Sequence, residues 1–448
     1  MKKLIFLTTL FVTLAATAQE LSEYDQNAPF GFCTVSSRTN ASSTYDITGG
    51  GCYTYPVPAS LADKTIVLTA DGTNDMKGAI QNAIKRYDIV VLDGSNGDFI
   101  ISSSIGFERG NKTLLGINNA RLCTQWYVTD EIKAALDAAG VPNMSTSGGG
   151  GTLSNGKSVS EEAEYHTRQI IINLTGDSNE SYRNAGILSL NKSNVIIRNI
   201  TFVGPGSIDV GGADLISATG AKNCWVDHCA FIDGEDGNFD ITNKSDFITV
   251  SWCSFTYTSR SYMHQNTNLI GSSDSETTGY LNTTFAFNWW GANCKQRMPM
   301  ARVGKIHMLN NYFSSTTASN CINPRKNSEF LIEGNYIDNS VPKFYSQNDA
   351  TSVTWANNNY TKGQSKPANV GSTVTVPYDY TVAPYSDVPT AVQEHAGATL
   401  NYSSDPSGIT LPTSSIERQS SAIYNLAGQR VTDSFRGIVI KNGKKVKQ

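Results

Sequence analysis

Two arginines, Arg297 and Arg302, flank a proline in the stretch QRMPMARVGK. Planar guanidinium forks suit carboxylate or phosphate, so the pair points to an anionic partner. Three carboxylates form a counterpart: Asp214 in GGADLISATG, and Asp236 and Asp240 in DGEDGNFDIT. Asp236 and Asp240 lie four apart, so on a strand they share a face. Like charges held close repel, and either a carboxyl stays protonated or a cation neutralises them. Oxygen-only ligands favour a hard cation, and calcium is the common one outside cells. Three carboxylates leave coordination positions for water and for a ligand's own carboxylate. Plainer readings of the same residues are solvated surface acids, a calcium ion that only ties the chain together, and a surface Arg–Asp pair.

A repeat supplies the frame that must position these groups. An apolar stretch followed by Asn, any residue and an aromatic or aliphatic residue recurs in FAFNWW, HMLNNYF, IEGNYI and WANNNY, at Asn288, Asn311, Asn335 and Asn358. Upstream, VIIRNITF, CWVDHCAF and ITVSWCSF share the frame, with Ile200, Cys229 and Cys253 at the Asn position. Strands at this period without intervening helices predict an all-β parallel β-helix, each repeat one coil on the last. An inward Asn at one register passes side-chain hydrogen bonds from coil to coil. The competing β-sandwich would not keep one residue type at constant period. In this frame Asp214, Asp236, Asp240 and Arg297 have the same parity. That predicts a shared outward face, with coils about 4.8 Å apart and Arg297 roughly 10 Å along from the acids.

The rest of the chain sets limits. Residues 1–18 read as a secretory signal peptide with a small-residue cleavage site, so a secreted, periplasmic or cell-surface protein is expected. Its removal takes Lys2 and Lys3, moving the formal charge from −4 to −6. A nucleic-acid binder would be basic, so that class is disfavoured. No later stretch is long and apolar enough to span a bilayer. Eight cysteines in an exported chain leave room for disulfides, with Cys33 and Cys52 placed to staple the N-terminal segment. Cys229 and Cys253 read better as small buried apolar residues. A helix is expected over 128–140, a Gly/Ser-rich loop over 143–160, and a short helix in VPTAVQEHAGA. A polar linker over 401–420 precedes a final unit, 421–448. GTLSNGKS, residues 151–158, fits a phosphate-loop pattern but lacks the strand before it that the mechanism requires, so it reads as a loop. No histidine or cysteine spacing suits zinc, and no GxSxG elbow is present.

Together these residues resemble the pectate lyase family (polysaccharide lyase family 1). The similarity runs through YDIVVLDGSNGDFIISSSIGFERGNKTLLGI, NVIIRNITF, NCWVDHCAF, DGNFDIT, SDFITVSWCSF, LIGSSDS, RMPMAR and GKIHMLNNYF. It implies a right-handed parallel β-helix over 19–400, with 126–168 inserted. It further implies calcium-dependent β-elimination of polygalacturonate, an acidic plant cell-wall polysaccharide, giving 4,5-unsaturated products. The family's calcium acids map onto Asp214, Asp236 and Asp240, its proton-abstracting arginine onto Arg297, and its substrate-binding arginine onto Arg302. A guanidinium is ordinarily protonated, so such a base calls for neighbouring cations and alkaline conditions. Two positions depart from the family: Gly212 stands where an acid is frequent and Asn266 where a substrate-binding lysine is frequent, with Arg260 or Lys295 as substitutes. The final unit resembles a secretion-sorting tail, and a monomer is expected. The alternatives are a calcium-independent pectin lyase on methyl-esterified polymer, a non-catalytic β-helix that binds acidic glycans, and a glycoside hydrolase, which needs a placed carboxylate pair.

Overall fold

The computed structural model describes residues 28–141, 159–208, 212–402 and the strands between 423 and 447. Its chain divides into two units, Met1–Asn401 and Tyr402–Gln448. In the first, strands assemble into three parallel sheets of ten, nine and seven strands, visited in turn. Each strand pairs in parallel with its counterpart one circuit away, as Lys222–Asp227 does with Asp246–Ser251. This is a right-handed parallel β-helix.

Equivalent inward positions stack along the axis. Phe202, Phe231, Phe255, Trp290 and Phe313 form one column with ring centroids 5.2, 4.9, 5.4 and 4.9 Å apart. All five are fully buried, so the column contributes both apolar burial and aromatic stacking. Each coil turns a corner on a left-handed residue, including His228, Trp252, Phe287 and Asn310, with φ of 46°, 49°, 56° and 51°. Bulky side chains rarely adopt that backbone. The following position carries the compensating contact: the Oδ1 of Asn288, Asn311, Asn335 and Asn359 accepts the backbone N–H of Cys253, Asn288, Asn311 and Asn335 respectively, each at 2.9 Å.

The last rung is thus Asn359 rather than Asn358. Asn358 Oδ1 instead accepts the N–H of Gly334, at 3.1 Å. Three consecutive asparagines in WANNNY fit the spacing equally well, and only the fold of that corner selects among them.

Between Thr124 and Leu188 the chain leaves the coil. The helix expected near 128–140 is Asp130–Ala138, capped by Thr129, whose hydroxyl accepts from Ile132 N at 3.2 Å. A second helix, Val159–Thr175, follows. Val128, Ile132, Leu136, Ile171 and Tyr182 of this excursion pack against Ile208 and Met263 of the coil. The helix in VPTAVQEHAGA is Val388–His395; its Val388, Ala391 and Val392 cover Trp252, Phe287 and Leu309.

All eight cysteines are buried and unbridged, Cys33 and Cys52 included. The disulfides for which the composition leaves room do not form. The thiols instead lie against backbone oxygens: Cys229 Sγ is 3.3 Å from Asp227 O and Cys253 Sγ is 3.3 Å from Ser251 O. In the second unit, Ile423–Asn425, Arg430–Val431, Ile438–Lys441 and Lys444–Lys447 form an antiparallel sheet. The signal segment, most of the linker and the GTLSNGKS motif lie outside the described residues. No helix among the described residues is long and apolar enough to cross a membrane.

Candidate active site

The seven-stranded sheet carries the acids. Asp214 opens the strand Asp214–Thr219 and Asp240 lies in Gly237–Thr242. The two strands pair with Asp214 beside Gly237 and Ser217 beside Asp240. Asp236 immediately precedes the second strand. Gly237 is the hub of this arrangement. A Cβ there would stand 2.6 Å from Asp214 Oδ1 and 3.1 Å from Asp240 Oδ1, so its missing side chain leaves room for two carboxylate oxygens.

The carboxylates share one electrostatic environment. Burial pushes Asp214 well above the usual carboxylate range, and the charges of Asp240 and Asp236 push the same way. Asp240 is raised to about 7, chiefly by burial; the nearby Arg297 opposes this and Asp236 adds to it. Asp236 behaves oppositely. Burial raises it, but the hydrogen bond from His264 and the charges of His264 and Arg297 prevail and hold it below the ordinary value. Asp214 Oδ2 accepts from Ser217 Oγ at 3.0 Å, whereas its buried Oδ1 has no hydrogen-bond partner.

His264, which its sequence context does not single out, lies with Nε2 2.7 Å from Asp236 Oδ1. Among the described residues, no three His, Cys, Asp or Glu side chains are gathered in metal-holding geometry. The three acids share a field, but Asp236 is engaged by His264. Their chemistry nonetheless suits a hard cation: oxygen donors, surplus negative charge, an unpartnered buried oxygen and a glycine-made space.

Arg297 has left-handed backbone, φ 61°. Its carbonyl accepts from Asn268 N at 2.7 Å and from the hydroxyl of Thr267. This anchors the arginine two circuits on from the strand of Asp240, across Leu269–Ile270, within electrostatic reach of Asp236 and Asp240. Arg302 is held apart from the acids. Its Nε donates to Asp274 at 2.8 Å and its Nη1 to Gly271 O at 2.8 Å. The structure thus brings together Asp214, Asp236, Asp240 and Arg297, and engages Arg302 with Asp274 and Gly271.

The two departures also lie here. Gly212 has φ 69° and faces Asp236 Oδ2, 3.9 Å from where a Cβ would stand. Asn266 is buried, bridges Gln296 on the next circuit and leaves its Oδ1 without a hydrogen-bond partner.

Residues 127–401, more than half of the chain, match the family model described as pectate lyase. The chain belongs to the pectate lyase family. It is therefore a polysaccharide lyase. It is similar to pectate lyase A of Aspergillus niger, 34% identical over 238 residues, covering 50% of this chain and 69% of that protein. Pectate lyase A of Emericella nidulans is 32% identical over 241 residues, 51% of this chain and 69% of that one. A pectate lyase from Bacillus sp. N165, solved in complex with trigalacturonate, shares the fold with TM-score 0.51 at 19% identity, covering 84% of this chain and 100% of that one.

Proposed function

We propose that this chain cleaves polygalacturonate by calcium-dependent β-elimination, with Arg297 as the base. The observation that carries the reading is the grouping of Asp214, Asp236 and Asp240 around Gly237 with Arg297 in electrostatic reach, in a member of the pectate lyase family. The similar proteins support it, one of them solved in complex with trigalacturonate.

Asp214, Asp236 and Asp240 would hold calcium, which when bound supplies positive charge for the carboxylate beside the reacting carbon. Arg297 would take the proton from the carbon next to that carboxylate. The electron pair of the broken C–H bond spreads onto the carboxylate, then forms the 4,5 double bond as the glycosidic C–O bond breaks. The expelled oxygen gains a proton, and the product carries an unsaturated end. Arg302, fixed by Asp274 and Gly271, would hold a further substrate carboxylate. Export under the N-terminal signal, a sorting role for the tail and a monomeric state complete the proposal.

The test is incubation with polygalacturonate and with esterified pectin, each with and without a chelator, following the ultraviolet absorbance of the unsaturated product. Chelator-sensitive absorbance on polygalacturonate is the expected result. Chelator-insensitive cleavage of pectin would point to a pectin lyase, and no product in any arm to a glycan-binding module.

A further inference from the structure

The excursion from the coil builds a pocket of about 260 Å³. Trp126, Tyr182 and Ile171 form its apolar wall, and Ser102, Asn184 and Asp177 bring polar groups. Trp126 is half-buried and fixed: its Nε1 donates to Tyr182 O at 2.7 Å and its ring meets the Tyr182 ring edge-on. An immobile indole with one face against a cavity can stack on the C–H face of a pyranose, and the amide and hydroxyl groups around it suit sugar hydroxyls.

Asn184 of the pocket lies shortly before the strand Leu188–Leu190, which pairs with the strand that Asp214 opens. Leu188 pairs with Ile216, and a Cβ on Gly186 would stand 3.3 Å from Asp214 O, so the segment leading from Asn184 into this strand runs beside Asp214. Asn184 lines the pocket while Gly212 faces Asp236, one coil or about 5 Å farther along the axis. A polymer threaded past the acids reaches the pocket with a neighbouring residue.

Charge decides what that residue is. Among the described residues lining the pocket there is a carboxylate, Asp177, and no lysine, arginine or histidine. Hydrogen bonds, first that from the Ser181 hydroxyl, hold Asp177 below its ordinary pKa, so it is charged. Arg168 and Arg183, which flank this segment outside the pocket lining, both pair with Glu180, at 2.6 and 3.5 Å. A free uronate carboxylate would meet repulsion there without a compensating cation. We propose that the Trp126 pocket is a distal subsite for an uncharged sugar, a methyl-esterified galacturonate, which lets the enzyme grip partly esterified pectin while it cleaves at an unesterified position. This inference rests on the proposed lyase reading.

The test uses the full-length protein with two variants at exposed lining positions. Thr175→Trp fills the pocket and Gln125→Arg gives it a cation. Calorimetry with methyl-esterified and unesterified trigalacturonate reads binding, and KM and kcat on polygalacturonate and on partly esterified pectin read turnover. Thr175→Trp is expected to weaken binding of the esterified trimer about fivefold, the order of one lost sugar-face contact. It should raise KM on pectin alike and leave kcat and KM on polygalacturonate within about twofold. Gln125→Arg should shift preference toward the unesterified trimer. Equal losses on both ligands, or no change on either, would overturn the subsite. Absence of turnover in the wild type would instead refute the lyase reading, while calorimetry would still report on the pocket.

Discussion

Nε2 of His264 lies 2.7 Å from Oδ1 of Asp236, so one of the three grouped acids is engaged by an imidazole delivered from the following circuit. A cation that draws on Asp236 must compete with this contact. The contact is mostly shielded from solvent, and a hydrogen bond of this kind contributes about 1 kcal/mol net. His264→Ala should therefore tighten calcium binding by about fivefold, read by calorimetry. Weaker binding in the variant would mean that His264 supports the cation site instead of competing with it.

Gly237 makes the sharper test of the metal proposal. A methyl group at that position would press on the oxygens of both Asp214 and Asp240. Gly237→Ala should raise the calcium Kd more than about tenfold, with the far-ultraviolet dichroism of the wild type retained. Unchanged affinity would place the cation elsewhere.

For the base, Arg297→Lys keeps a positive charge but not the guanidinium geometry. A general base contributes on the order of 10² to 10⁴ in rate, so kcat should fall at least about a hundredfold with a much smaller change in KM. Near-full turnover would remove Arg297 from the chemistry.

The grouped acids should contribute less to the stability of the chelated protein as pH rises. Asp240, and Asp214 more strongly, have folded-state pKa values above the ordinary carboxylate range. The folded chain thus binds more protons than the unfolded one between about pH 4 and Asp240's value near 7. Over that window the acids' contribution should decline, because folding forces charged acids together. His228 and His307, lowered by burial, act the other way. The Tm difference between wild type and Asp240→Asn isolates the acid's part. Calcium should restore more stability at pH 8 than at pH 5. A Tm difference between chelated wild type and Asp240→Asn that stays constant across the window would contradict the assignment.

Asn311 anchors the corner ladder. Its Oδ1 accepts from Asn288 N, and its Nδ2 donates to Phe285 O at 2.9 Å. Asn311→Ala leaves those buried groups unsatisfied and should cost about 3 kcal/mol in chemical unfolding. A loss below about 0.5 kcal/mol would show that the neighbouring coil re-pairs them.

The period of the Asn positions made the coil legible, because one residue type at constant spacing has few other physical explanations. The shared parity expected of Asp214, Asp236 and Asp240 does not hold at Asp214: it pairs with Gly237 while Asp240 pairs with Ser217, so Asp214 is one step out of phase and nears Asp240 only through the space left at Gly237. Three features escaped. Asn358 and Asn359 differ only in where the corner turns, which depends on the backbone of a loop. His264 reaches Asp236 because Ser254–Thr256 and Leu269–Ile270 are strands of successive sheets and the connection between them folds back over the acids, an event without periodicity. Trp126 and Tyr182 lie 56 residues apart and meet only because the excursion closes on itself.

The eight buried, unbridged thiols have a bearing on how this protein matures. Its fold asks nothing of an oxidant: no correct pairing has to be found among eight sulfurs and none can be lost to a reductant. The chain should reach the same folded state in a thiol-rich medium as in air, and its refolding yield should be indifferent to dithiothreitol.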